Sequence, residues 1–352
     1  VSVPFTVPTV DISAYVAAST PAEREAAAAA VDHACRTVGF MQVVGHGVAP
    51  EVLAGLGSAM DDFFGADPQA KASYRRPAWE NRGYTPPRSE SLSLSLGVES
   101  ATRMNDFFEA FNVGRTLEDH PAARHPEHHA ANTWPAVAGF RARVERHLDE
   151  AERVARTLVR IFADALGVEQ RVLEEVTDHS IGVLRMNNYA LPPGTRLELD
   201  GELTGMGEHT DFGIVTVLWA DQVRGLQVLG HDGAWHDVSP ADGALLVNLG
   251  DAMARWTNER WLSTLHRVKP PVVAGPDGTA TVQRRRSAAY FHDGNADAVI
   301  APLPGCVDAD HPALYAPVTV ADHIAAKLAG SRVGVTNALA AREAARVLAS
   351  RR

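Results

Sequence analysis

Apolar residues recur along this chain in two rhythms, and the rhythm changes near residue 180. Before that point Val52, Leu56, Met60 and Phe63 fall three or four apart, as do Phe140, Val144, Leu148, Ala151, Ala155, Leu158 and Phe162. That spacing places each set on one helical face and predicts helices over about 50–64 and 137–166. Gly167 is positioned to end the second. An earlier helix begins at Thr20-Pro21-Ala22-Glu23, where Thr20 can cap, Pro21 fits the first turn and Glu23 completes a capping box. It runs through Val38, with Gly39 as its C-cap. Residues 7–12 and 40–44 read as short strands, with Gly45-His46-Gly47 as a turn. The stretch containing Asn81-Arg82-Gly83-Tyr84, residues 89–95 and residues 106–111 is polar and is predicted as loop.

Beyond residue 180 the apolar segments become short, rich in Val, Leu, Ile and Tyr, and broken by Gly, Pro and Asp. Strands are predicted at 183–189, 213–219, 226–229, 235–238, 244–249, 266–272 and 285–291. A last helix covers about 320–329, followed by an Ala- and Arg-rich tail to 352. Regularly spaced short strands with turn signals argue for a β-sandwich or barrel; a double-stranded β-helix (jelly roll) core with the N-terminal helices packed outside fits, an α+β fold. With no Pro- or Ser-rich spacer at the change of rhythm, residues 1–352 are expected to form one domain. It would comprise a helical and substrate-loop part (about 1–180), a jelly-roll core (about 181–300) and a C-terminal helical tail (about 301–352).

The 352 residues are 45% hydrophobic and 22% charged, enough apolar material for a sizeable core. A net charge of -10 disfavours nucleic acid and anionic membrane surfaces as partners. No apolar run approaches the roughly 20 residues of a spanning helix, and Val1 to Val10 lacks a basic segment followed by an apolar run. The expectation is a cytoplasmic monomer or weak homo-oligomer acting on a small molecule. The two cysteines, Cys35 and Cys306, exclude a disulfide framework and a cysteine-based zinc site, and are expected as small apolar residues. His120, His125, His128 and His129 cluster, but Pro121 and Pro126 make their segment a loop with nothing to fix the imidazoles.

His209-Thr210-Asp211 carries the candidate chemistry. In an extended strand, positions two apart share a face, so an imidazole and a carboxylate can converge. His266 can supply a third ligand. Two His and one carboxylate leave positions open on a metal and suit Fe(II), although zinc fits the same donors. In Arg284-Arg285-Arg286-Ser287, Arg285 and Ser287 share one strand face and Arg284 and Arg286 the other. An inward Arg285 beside a hydroxyl would make a fork for a carboxylate.

From residue 184 to 291 the chain resembles the iron- and 2-oxoglutarate-dependent dioxygenases of the isopenicillin N synthase-like family. The resemblance rests on Leu184-Arg185-Met186-Asn187-Asn188-Tyr189, His209-Thr210-Asp211-Phe212-Gly213, Val247-Asn248-Leu249-Gly250-Asp251, Leu262-Ser263-Thr264-Leu265-His266-Arg267-Val268 and Arg285-Arg286-Ser287, in that order. Pro8-Thr9-Val10-Asp11-Ile12 and Asn81-Arg82-Gly83-Tyr84 extend it, to roughly residues 5–330. Arg286 departs from the aromatic or apolar residue usual between Arg and Ser, and alternation places it on the opposite face.

The resemblance implies His209, Asp211 and His266 as Fe(II) ligands. It implies Arg285 and Ser287 as the clamp on the distal carboxylate of 2-oxoglutarate, with Asn187 and Tyr189 also at the co-substrate. It implies that O2 and 2-oxoglutarate are consumed, succinate and CO2 are released, and an unactivated C–H bond is oxidised, most simply by hydroxylation. Two alternatives stay open: an Fe(II) oxidase of the same fold that cyclises or desaturates its substrate without 2-oxoglutarate, and a non-catalytic metal- or ligand-binding protein. Arg82, Tyr84, Met104, Phe108, Phe111 and Phe291 are candidate lining for the substrate.

Overall fold

The computed structural model describes residues 5–96, 106–121, 123–191, 205–274, 280–333, 340–342 and 344–345. Its helices are α1 (Ser13–Val16), α2 (Pro21–Thr37), α3 (Pro50–Phe64), α4 (Pro68–Ala72), α5 (Phe140–Leu166), α6 (Gln170–Glu174), α7 (Asp251–Trp256) and α8 (Val320–Val333). The capping box at Thr20 is present. The Thr20 side chain accepts from the Glu23 amide at 3.3 Å, and Glu23 Oε2 accepts from the Thr20 amide at 2.7 Å. Gly167 ends α5 at φ 69°, a left-handed conformation that favours glycine. The predicted face of α5 is its buried face, and it packs on α2, α3 and the sheet behind them. Leu158, Ile161 and Phe162 are fully buried. Each such side chain contributes about 1.5–3 kcal/mol, so tertiary packing rather than helix propensity holds α5 in place.

The strands are β1 (Thr9–Asp11), β2 (Phe40–Val44), β3 (Gly83–Thr85), β4 (Glu109–Gly114), β5 (Val183–Tyr189), β6 (Met206–His209), β7 (Val215–Ala220), β8 (Leu226–Leu229), β9 (Trp235–Asp237), β10 (Leu245–Leu249), β11 (His266–Val268), β12 (Val272–Ala274), β13 (Ala280–Val282), β14 (Arg285–His292), β15 (Val299–Ile300) and β16 (Val318–Thr319). An eight-stranded sheet has the order β1-β2-β10-β7-β14-β5-β4-β3, and a four-stranded sheet the order β6-β11-β8-β9. A cavity lined by both sheets lies between them. One apolar core fills the space between the larger sheet and the helices. A second, built on Phe40, Phe108, Tyr189, Leu226 and Val268, lies on the side of the smaller sheet.

Three sequence expectations need correction. Residues 83–84 and 109–111, predicted as loop, lie in strands: β3, and the fully buried β4, which pairs with β3 and β5. Strand β4 was hidden because its polar side chains are satisfied internally. Glu109 takes Lys71 at 2.8 Å and the Tyr84 hydroxyl at 2.6 Å, and Asn112 bonds Asn81 at 2.9 Å. The second correction concerns His209 and Asp211, which do not open a strand. β6 ends at His209, and Asp211 lies in the turn before β7. The residues 266–272 also divide, into β11 and β12. Among the described residues no helix is long and apolar enough to cross a membrane.

Candidate active site

Register brings the two histidines together. β6 and β11 are antiparallel neighbours, and His209 and His266 stand directly opposite each other, with ring centroids 4.2 Å apart. Each Nδ1 donates to a backbone carbonyl, His209 to Gly207 O at 2.7 Å and His266 to Thr264 O at 3.1 Å. A carbonyl only accepts, so these bonds fix the proton on Nδ1 and leave each Nε2 lone pair free. Burial, and then the neighbouring His266, lower the His209 pKa to about 3, which keeps that imidazole neutral.

Strand alternation does not position Asp211; side chains of the larger sheet do. Thr216 and Asn248 are cross-strand partners on β7 and β10. Both donate to Asp211 Oδ2, at 2.5 and 2.7 Å. The remaining oxygen, Oδ1, faces His209 Nε2 at 3.8 Å and His266 Nε2 at 3.6 Å. Ligand atoms from the three residues lie within 4.8 Å of one another, and all three residues are buried. Two neutral imidazole nitrogens and one carboxylate oxygen aimed at a common point fit a divalent transition ion with positions left open. Thr216 and Asn248 are site residues that the sequence reading passed over. Their trace was a polar residue at one position in each of two apolar strands.

The turn carrying Asp211 is pinned from behind by α7 and α8. The Asp251 amide donates to Asp211 O at 2.9 Å, and Thr210 Oγ1 to Asp251 Oδ2 at 3.0 Å. Asp251 also forms a fully buried ion pair with Lys327 of α8, at 2.6 Å. The His323 ring meets Phe212 O at 3.0 Å. Removing one partner of a buried pair strands the other charge. Lys327→Met is expected to destabilise the fold by about 3–5 kcal/mol, read as a lower denaturant midpoint. An unchanged midpoint would mean that this pair does not hold α8.

Arg285 and Ser287 face the same cavity from β14, and Tyr189 and Asn187 stand opposite them on β5. Arg285 is 2% exposed, and its Nε and Nη1 have no hydrogen-bond partner in the protein. Burial works against its charge, while Tyr189 and Asp221 favour it. A guanidinium in that condition calls for an anion. Arg284 and Arg286 point the other way. Both engage Asp61, at 2.6 and 2.7 Å, and Arg286 also reaches Asp221. The cavity of about 110 Å³ has room for a small organic acid or several waters.

On the far side of the cavity Arg185 pairs with Glu90 at 2.5 Å, and Glu90 also takes Arg332 of α8 at 2.9 Å. Of the candidate substrate lining, Phe291 faces the cavity. Arg82 bonds Arg115 O, Tyr84 bonds Glu109, Phe111 packs on Phe63, and Phe108 lies under Arg185. Alternation explains the miss on β4, where Asn112 lines the cavity and Phe111 joins the core behind. Met104 lies outside the described residues. Among the described residues the histidines at 120–129 form no metal-binding group.

The chain is similar to known proteins over most of its length. Residues 7–137 match the N-terminal family of non-haem dioxygenases described from morphine synthesis, and residues 182–294 match the 2OG-Fe(II) oxygenase superfamily. The 2-oxoglutarate-Fe(II) type oxidoreductase hxnY of Emericella nidulans is 31% identical over 303 residues, covering 84% of this chain and 81% of that protein. Validamycin A dioxygenase of Streptomyces hygroscopicus subsp. limoneus is also 31% identical, covering 84% and 79%. A Neurospora crassa protein, solved at full length in complex with alpha-KG and thymine, superposes with a TM-score of 0.77 at 26% identity, covering 92% of this chain and 96% of that one. A Caulobacter crescentus protein assigned to the 2OG-Fe(II) oxygenase family superposes with a TM-score of 0.75 at 25% identity, covering 92% of this chain and 98% of that one. The chain belongs to the Fe(II)- and 2-oxoglutarate-dependent dioxygenases, enzymes that use iron, 2-oxoglutarate and O2.

Proposed function

We propose that His209 Nε2, Asp211 Oδ1 and His266 Nε2 hold one Fe(II), and that Arg285 and Ser287 hold the distal carboxylate of 2-oxoglutarate beside Asn187 and Tyr189. The enzyme then hydroxylates a C–H bond of a small metabolite or natural-product intermediate. The observation that carries this reading is one cavity containing both the converging donor set and Arg285 with two buried nitrogens unpartnered. The facing eight- and four-stranded sheets are read as the two halves of the jelly roll, with α2, α3 and α5 packed outside it in one domain.

When bound, iron with 2-oxoglutarate and O2 supplies the oxidising power that removes hydrogen from carbon, with succinate and CO2 as co-products. The chain's own residues do the rest. The Nδ1–H bonds to Gly207 and Thr264 hold both imidazoles in the tautomer that offers Nε2. Thr216 and Asn248 occupy Oδ2 of Asp211 and turn Oδ1 toward the ligand point. Arg285 and Ser287 fix the co-substrate at the end remote from its reacting group. Phe212, Phe291 and Leu328 limit water around the reacting carbon.

The test is a screen of small metabolites for stimulated succinate release by protein supplied with Fe(II) and 2-oxoglutarate in air. The expected result is a compound whose hydroxylated product, one oxygen heavier, forms in step with succinate. Turnover of a true substrate without succinate would refute the use of 2-oxoglutarate. A product two hydrogens lighter would replace hydroxylation with desaturation or ring closure.

A further inference from the structure

Alternation along β14 and just past it sends Arg285, Ser287, Ala289, Phe291 and Asp293 into the cavity. Arg285 and Asp293 are eight residues apart, about 26 Å of extended chain, so the two ends of the row serve different molecules. Asp293 lies just beyond Phe291, whose strand partner on β7 is Thr216, one of the two residues that hold Asp211.

Asp293 is 8% exposed and its side chain lines the cavity. The other buried carboxylates around the site are satisfied. Asp211 has Thr216 and Asn248, Asp106 has the amides of Leu92 and Gly207, Glu90 has Arg185 and Arg332, and Asp251 has Lys327. Asp293 alone among these five has neither a hydrogen bond nor an ion pair within the described residues. The fold keeps space for it: a Cβ on Gly213, in the turn that follows Asp211, would collide with Asp293 Oδ1. Burial, and then the charge of Asp211, raise the Asp293 pKa to about 7. Neither cause brings a cation to it. A buried carboxyl without a partner is costly, and a hydrogen-bond donor or cation from a ligand would remove that cost.

We propose that Asp293 is a specificity-determining residue that binds the nitrogen-bearing end of the substrate, an ammonium or N–H group, and so selects which face of the substrate meets the ligand triad. The inference rests on the reading of this cavity as the active site. The substrate class it names is amines and N–H heterocycles, which the carboxylate form of Asp293 prefers over an anionic metabolite at that position. Arg185 does not offset the selection, because Glu90 already occupies its guanidinium.

The test uses two probes of equal size and opposite charge, benzylamine and benzoate. Each is titrated calorimetrically, without O2, into protein loaded with Fe(II) and 2-oxoglutarate. Benzylamine is expected to bind about tenfold or more tightly than benzoate, and Asp293→Asn to weaken benzylamine by about tenfold or more. Asp293→Glu, which keeps the carboxylate, should retain the preference for the amine. Benzoate binding as tightly as benzylamine overturns the inference, as does benzylamine binding unchanged in Asp293→Asn, or no binding of either probe. Should Asp293→Asn fail to fold, the ranking of the probes on the wild-type protein still decides. The affinity for 2-oxoglutarate is measured in the loading step. Failure there overturns the functional reading, while the loss of benzylamine affinity in Asp293→Asn, measured on the unloaded protein, still decides for Asp293.

Discussion

His209→Ala is expected to abolish iron retention and turnover together. The substitution removes one of three donors, and its effect should exceed the roughly 10–100-fold loss that follows removal of an outer partner of a metal ligand. It also leaves Asp211 Oδ1 and His266 Nε2, 3.6 Å apart, without the third donor that defines the site. The vacated space lies at the surface of the cavity rather than inside the main core, so the fold should persist. Metal analysis of protein reconstituted with Fe(II) and passed over a desalting column checks the first half, and succinate release checks the second. Iron held at full stoichiometry with turnover intact would remove His209 from the site.

Arg285→Leu is the second large effect. Arg285 offers two buried nitrogens with no partner in the protein, and no other cation faces that end of the cavity among the described residues. Truncating one partner of a buried, hydrogen-bonded charge pair costs about 2–5 kcal/mol, roughly 30-fold or more in Kd. The loss should fall on 2-oxoglutarate. Its Kd and KM should rise by that factor while the stoichiometry of bound Fe(II) stays at one, because none of the three proposed ligands touches Arg285. A replacement of Arg286 makes the contrast: that side chain holds Asp61 and Asp221 outside the cavity. Equal losses of 2-oxoglutarate affinity in Arg285→Leu and Arg286→Leu would refute the clamp.

The parts of the site legible in the sequence are those that depend on local period. Strand alternation separated Arg285 and Ser287 from Arg284 and Arg286, and the structure places the two pairs on opposite faces. Helix spacing located α3 to the residue and α5 to within three residues of its start. The convergence of His209 with His266 depends on the register of β6 against β11, two segments whose pairing no local pattern specifies. The resemblance, rather than spacing, supplied it.

Asp211 shows the same limit more sharply. Alternation would align it with His209 only within a strand, yet β6 stops at His209. Hydrogen bonds from Thr216 and Asn248, five and 37 residues further on, set its orientation instead. Buried polar residues were the other blind spot. The sequence carries no signal that Glu109, Asn112, Asp251 and Lys327 are buried, because pairing inside the fold cannot be seen without the partner. That is also why β4 was missed and why the hold of α8 on the Asp211 turn was not foreseen.

One iron, held by His209, Asp211 and His266, is expected to couple 2-oxoglutarate breakdown to this cavity. The decisive measurement is CO2 release from 2-oxoglutarate labelled at its C1 carboxylate, using metal-free protein before and after addition of one equivalent of Fe(II). Release is expected only after iron is added, and should be lost in His209→Ala and in Asp211→Ala. Iron-dependent release at the wild-type rate from either variant would refute the site.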